Sequence, residues 1–169
     1  ARLTRIPSRR FFTAEQWALL EAICARLMPQ PDRGDHPIVI VPWIDDKLHA
    51  DRRDGTRHGN LPAPREAWRR GLHGIDRESE LRFGRSFVAC SPSEQDAILQ
   101  AVQRGDGQDQ AWQGMSAQRF FNTLVGEVVS HYYAHPAAWS EIGFGGPASP
   151  RGYARLDANQ RDPWEAEER

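Results

Sequence analysis

Lysine is almost missing from this sequence: Lys47 stands alone among 22 Lys and Arg residues, so the positive charge is nearly all arginine. Arginine brings a planar, forked set of donors where lysine brings a point charge, but a bias of this kind is compositional before it is functional. An excess of either charge is missing too. With 22 basic and 23 acidic residues the formal net charge is -1, which supplies no electrostatic footprint for nucleic acid or for an anionic membrane. Cysteine occurs only at Cys24 and Cys90. Two are too few for a disulfide framework, and they lack the C-x-x-C spacing of a zinc or redox site. Cys24 falls on the apolar side of a helical pattern, the ordinary place for a buried free thiol; a Cys24–Cys90 bridge is the alternative and implies an oxidising compartment. No apolar run approaches the roughly 20 residues of a membrane-spanning helix, so direct membrane insertion is not expected.

What is present is a succession of helical patterns. A chain of 169 residues, 39% of them hydrophobic, is long enough to bury one core. The expectation is a single all-α domain over residues 1–169, a bundle of about five or six helices with its core at about 11–156, an irregular Gly/Pro-rich C-terminal segment, and a tail at 157–169. Thr13-Ala14-Glu15-Gln16 reads as a capping box, with Phe12 and Trp17 as a hydrophobic staple. The first helix then runs to about Met28 with Trp17, Leu20, Ile23, Cys24, Leu27 and Met28 facing the core, and Pro29 and Pro31 end it. Ile38 to Val41 is β-branched, but no second strand is offered, so it reads as an extended entry to a helix opening at Pro42. Residues 51–64 read as a loop. Pro64 opens a third helix carrying Trp68, Leu72 and Ile75, with Leu81, Phe83 and Phe87 on a continuation that Gly84 interrupts. Ser91-Pro92-Ser93-Glu94 joins an N-cap serine, a proline at N1 and a capping-box glutamate. That helix ends near Gly105, and residues 105–114 read as a loop.

The most apolar helix follows. Phe120, Phe121, Leu124, Val125, Val128, Val129, Tyr132 and Tyr133 make a face so broad that the helix reads as central, buried among the others, with Ser116 as its N-cap and His135-Pro136 as its exit. Beyond it, Gly143, Gly145, Gly146, Pro147, Pro150 and Gly152 keep the backbone out of regular structure. Tyr132, Tyr133, Trp139, Phe144, Tyr153 and Trp164 are the candidate partner interface, because aromatics displayed on irregular backbone are typical interface anchors. The alternative is that Trp139 to Tyr153 folds back as a cap over the central helix.

Catalytic motifs are lacking. There is no G-x-S-x-G, no phosphate-binding loop, and no cysteine with a histidine partner. Gly143-x-Gly145-x-x-Ala148 matches a dinucleotide fingerprint in letters, but a helix precedes it and prolines follow, where the binding unit needs a strand before and a helix after. Asp45 and Asp46 are adjacent on a helix, diverge in direction, and read as a solvated face. Glu127, His131 and His135 lie at i, i+4 and i+8 and could begin a metal site. Against it, Pro136 disturbs His135 and no further ligand cluster is evident.

Several of these stretches together resemble a known family. FFTAEQWALLEAICARLMPQ, then VPWIDDKL, then WRRGLHGID at Trp68 to Asp76, FVACSPSEQDAILQAV, FFNTLV and the closing IGFGGPASPRGY are similar, in that order, to the gluconate 2-dehydrogenase subunit 3 family. The Ser91-to-Ala97 run and the IGFGGP ending are the most specific parts. The resemblance implies a non-catalytic helical subunit bound to a large FAD-containing subunit of the glucose-methanol-choline type that oxidises a sugar, glycoside or sugar acid. FAD and substrate then belong to the partner, and this chain carries no cofactor, metal or catalytic residue of its own. In some such complexes a cytochrome c subunit takes the electrons. Small subunits of the family often carry a twin-arginine signal that exports the folded complex. Here Ser8-Arg9-Arg10-Phe11-Phe12 has the arginine pair, but a capped, charged helix follows in place of an uncharged apolar stretch. The compartment expected is the periplasm if the chain is exported with its partner, and the cytoplasm otherwise.

Overall fold

A computed structural model describes residues 5–51 and 61–144. Six α-helices occupy these residues: α1 Ala14–Leu27, α2 Val41–His49, α3 Pro64–Phe83, α4 Pro92–Arg104, α5 Asp109–Trp112 and α6 Ala117–Tyr133. Three 3-10 turns, Pro31–Arg33, Phe87–Ala89 and Pro136–Ile142, link or follow them, and there is no strand among the described residues. The all-α fold class stands as the sequence indicates.

The helix starts follow their signals. Gln16 N donates to Thr13 Oγ1 at 3.2 Å while Thr13 N donates to Gln16 Oε1 at 3.1 Å, which closes the capping box of α1. Ser91 and Glu94 do the same for α4, and Ser116 accepts from Arg119 N at the start of α6. The two staple residues have further partners. The Phe12 ring meets Phe11 at 5.0 Å and Trp68 of α3 at 6.0 Å, and Trp17 turns its indole N–H to Glu21 Oε1 at 2.7 Å. Leu19, not foreseen, joins Leu20, Ile23 and Cys24 on the buried side of α1, while Trp17, Leu27 and Met28 are half-buried.

Ile38 and Val39 lie outside regular structure with no strand beside them among the described residues, and Ile40, at φ -109° and ψ -48°, already turns into α2. Gln30 substitutes for the missing neighbour: Ile38 N donates to Gln30 Oε1 at 2.7 Å, and Gln30 Nε2 donates to Ile38 O at 3.1 Å. A side-chain amide so placed satisfies backbone groups that would otherwise be left unpaired near the core. α3 stops at Gly84, whose φ of 68° is the left-handed cap that glycine adopts without strain. Phe87 then enters the core fully buried from its own 3-10 turn, so it is not on a continuation of α3.

One continuous apolar core joins all six helices, with Leu20, Ile23, Ile44, Leu72, Ile75, Ile98, Val102, Phe120, Leu124 and Val128 at its most enclosed positions. α3 packs on α1, α4, α5 and α6, and α6 on α1, α2, α3 and α4, so the centre is shared between α3 and α6. The buried face of α6 is also narrower than its composition suggests. Phe120, Leu124, Val128 and Tyr132 form one buried stripe with Ala117 and Phe121 beside it, whereas Val125 and Tyr133 are half-buried and Val129 is exposed. The helix is amphipathic with an apolar residue left outside, a residue choice that leaves surface for a neighbour to cover. Residues 105–114 also hold more order than a loop, because α5 lies among them and buries Trp112.

Candidate partner interface

Among the described residues two carboxylates are fully buried, and both are committed to the fold. Asp45 lies within the apolar stripe of α2, between Val41, Ile44 and Leu48. Its oxygens accept from three consecutive backbone amides: Arg10 N at 2.7 Å, Phe11 N at 3.0 Å and Phe12 N at 2.9 Å. The solvated face expected for Asp45-Asp46 is therefore wrong at Asp45. Only Asp46 meets solvent, as the ion-pair partner of Arg10. Glu78 of α3 accepts from Trp112 Nε1 at 3.0 Å and from Gln108 N, and pairs with Arg82 Nε at 2.8 Å. Carboxylates held by fixed amides, an indole and a guanidinium act as fasteners of the fold, since leaving such donors unpaired inside the protein would be costly.

Glu127, His131 and His135 do not converge. Glu127 Oε1 accepts from Lys47 Nζ at 2.5 Å, joining α2 to α6, and Glu127 Oε2 lies 3.4 Å from His131 Nε2. At that distance the imidazole has no aligned hydrogen bond, so the contact is an electrostatic neighbourhood. The His131 contact, then Lys47, holds the Glu127 carboxyl below its ordinary range against the opposing effect of burial. His135 turns away, its Nδ1 accepting from Ala137 N at 3.2 Å as cap of the following turn. Among the described residues no group of three or more His, Cys, Asp or Glu is gathered as metal ligands would be. Cys24 and Cys90 are both buried and free. Burial pushes the Cys24 thiol up to about 12, far from the thiolate that nucleophilic or metal chemistry requires, and Cys90 Sγ lies 3.1 Å from Ser79 Oγ.

The aromatic ending is the remaining feature, and it is more ordered than its glycines suggest. Pro136–Ile142 forms a 3-10 turn that folds back along the end of α6, burying Ala138 completely. Trp139 Nε1 donates to Tyr133 O at 3.0 Å, and so satisfies one of the carbonyls that a helix C-terminus leaves open. Tyr132 and Tyr133 meet edge to face at 5.0 Å. Tyr132 is buried, and Tyr133 and Trp139 are half-buried. The turn thus caps α6 with one side and shows apolar surface on the other. Ile142 is 55% and Phe144 45% exposed, Phe144 sits edge to face on Trp139 at 5.2 Å, and Val129 stands one helical turn before Tyr133. Of the six aromatic residues marked by sequence, Tyr133, Trp139 and Phe144 come together here, and Tyr132 lies beneath them. Tyr153 and Trp164 lie outside the described residues. Val129 and Ile142 are exposed as well and are not among the residues the sequence marks, although an apolar residue one turn before Tyr133 is a usable signal.

No described helix is long and apolar enough to cross a membrane. The family model described as gluconate 2-dehydrogenase subunit 3 matches the chain over residues 14–146, from the first residue of α1 to just past the aromatic turn. No curated protein and no solved structure gives a significant match.

Proposed function

The chain belongs to the gluconate 2-dehydrogenase subunit 3 family, and from that membership we propose that it is the non-catalytic small subunit of a heteromeric FAD-dependent dehydrogenase of the glucose-methanol-choline type. Membership itself makes it an accessory subunit that associates with other subunits of a dehydrogenase complex. The partner holds the flavin and oxidises a sugar, glycoside or sugar acid, and in complexes that include a cytochrome c subunit that subunit receives the electrons. Export of the folded partner is a second service such a subunit performs.

The observation that carries this reading is the family match across almost the whole described helical bundle. The chemistry of the site is in keeping with it. Asp45 and Glu78 are engaged by internal donors, the Cys24 thiol is held protonated, and the Glu127 carboxylate pairs with Lys47. The residues do not suit a dinucleotide either, since Gly143 follows a 3-10 turn where a phosphate-binding glycine follows a strand. The patch of Val129, Tyr133, Trp139, Ile142 and Phe144 is the surface assigned to the large subunit, and aromatic anchors of this kind commonly dominate binding energy.

The test is to express the large flavoprotein subunit with and without this chain. Soluble, flavin-loaded, active dehydrogenase should form in quantity only when both are present. A large subunit that is equally soluble and active alone, and that does not bind this chain, would contradict the proposal.

A further inference from the structure

Arg33 is the feature that neither the packing nor the family reading accounts for. It ends the 3-10 turn Pro31–Arg33 after α1, about a hundred residues before the aromatic turn, yet its side chain is only 11% exposed because it lies against that turn. Its Nε donates to Tyr132 Oη at 3.2 Å, its Nη2 donates to Ala137 O at 3.0 Å, and the same nitrogen pairs with the Glu141 carboxylate. Tyr132 Oη in turn donates to Glu141, 3.0 Å from each oxygen, and the guanidinium carbon sits 5.5 Å from the centre of the Tyr132 ring. One planar cation therefore ties the last turn of α6, the start of the 3-10 turn and the acidic residue near its end into a closed set of contacts. Lysine, with one ammonium, offers no such fork.

These contacts fix what the turn displays. Ala137 lies two residues before Trp139 and Glu141 immediately precedes Ile142, so the two points held by Arg33 flank the half-buried Trp139, and the second stands just before the exposed Ile142 and Phe144. The other bonds of this segment are short-range, from Ala138 N to His135 O, from Phe144 N to Trp139 O, and from the Trp139 indole to Tyr133 O. Those set the curl of the turn. The Arg33 fork anchors it to the linker between α1 and α2. We propose that Arg33 is the positioning residue of the partner-binding turn: by holding Tyr132, Ala137 and Glu141 together it sets the orientation in which Trp139, Ile142 and Phe144 meet the large subunit. The inference rests on the reading of this turn as the partner-facing surface. The physical gain is preorganisation, since a turn held before binding does not have to be ordered during it.

The experiment uses the full chain with its large subunit and reads two quantities, hydrogen exchange over residues 136–144 and affinity for the partner. Arg33→Ala should speed exchange in that segment, leave α1, α3 and α4 protected, and weaken association about tenfold, or about 1.4 kcal/mol. Arg33→Lys should restore little of either, because one ammonium cannot reach all three acceptors. Glu141→Gln, which keeps the shape and an acceptor, should fall between wild type and Arg33→Ala and stands in if that variant does not fold. Unchanged exchange over 136–144 in all three variants would overturn the inference, as would faster exchange with unchanged affinity. Failure of the wild-type chain to bind a flavoprotein subunit at all overturns the functional proposal instead, and the exchange arm still reads whether Arg33 holds the turn.

Discussion

Asp45 shows what a single residue decides in this fold. Its two oxygens take the amides of Arg10, Phe11 and Phe12, and so hold the N-terminal arm across α2 with both phenylalanines in the core. Arg65 and Arg69 of α3 close over the Phe11 ring, their guanidinium carbons 5.2 and 4.6 Å from its centre. Removing the acceptor leaves three amides without their partner, two of them inside the protein. Asp45→Ala should therefore cost roughly 3 kcal/mol, read as a lower denaturation midpoint, and should expose the Arg10 bond to trypsin. Asp45→Asn retains one acceptor oxygen and should cost less. An unchanged midpoint in Asp45→Ala would mean that the arm is not docked as described. The sequence hid this role because the three donors come from a segment more than thirty residues away, and nothing local distinguishes such a carboxylate from a solvated one. One clue was present: Asp45 occupies the i+4 place of a stripe formed by Val41, Ile44 and Leu48, and a charge inside an apolar stripe asks for a buried partner. Glu78, three residues after Ile75 and among the buried residues of α3, carries the same clue.

At the scale of elements, local chemistry was the legible part. The capping boxes at Thr13 and Ser91, the stop at Gly84 and the start at Ser116 lie where their residues put them, because each is settled within four or five positions of chain. Side-chain partners between elements were not legible, since they depend on where helices cross. The clearest case is the close approach to α3. An added Cβ at Gly71 would come within 2.3 Å of the Phe120 ring, and one at Gly74 within 2.9 Å of the Trp112 ring. Gly71 and Gly74 are thus the places where α6 and α5 press their aromatic rings against the α3 backbone. Gly71→Ala should destabilise by roughly 1–3 kcal/mol through overpacking. Gly126, in the middle of α6, has no atom within 4 Å of its would-be Cβ, so Gly126→Ala should stabilise by about 0.4–1 kcal/mol by restricting the unfolded chain. Chemical denaturation of the two variants side by side checks the pair. Equal effects would mean that α3 and α6 are not packed in this register.

For the molecule as a whole, the fold class and the family were both readable in the order of its helix patterns, while the form of the chain after α6 was only half readable. Gly143 and Pro136 pointed to irregular backbone after α6, yet Pro136–Ile142 forms a 3-10 turn, because Trp139, Ala138 and Arg33 give that segment a buried side. As far as Phe144 the inner face of the turn closes α6 as a cap would, and its outer face leaves Ile142 and Phe144 exposed; the rest of the stretch to Tyr153 lies outside the described residues. An accessory subunit needs both, a stable support and an unsatisfied apolar surface. The central claim is that this chain acts by binding a larger flavoprotein and holds no flavin itself. Native mass spectrometry of the assembly purified from its own host through this chain tests that claim most directly. The account predicts a complex in which the 19.2 kDa chain sits beside a larger subunit and all of the flavin mass stays with that subunit when the two are dissociated. A chain that purifies alone, or one that retains flavin after separation, would contradict it.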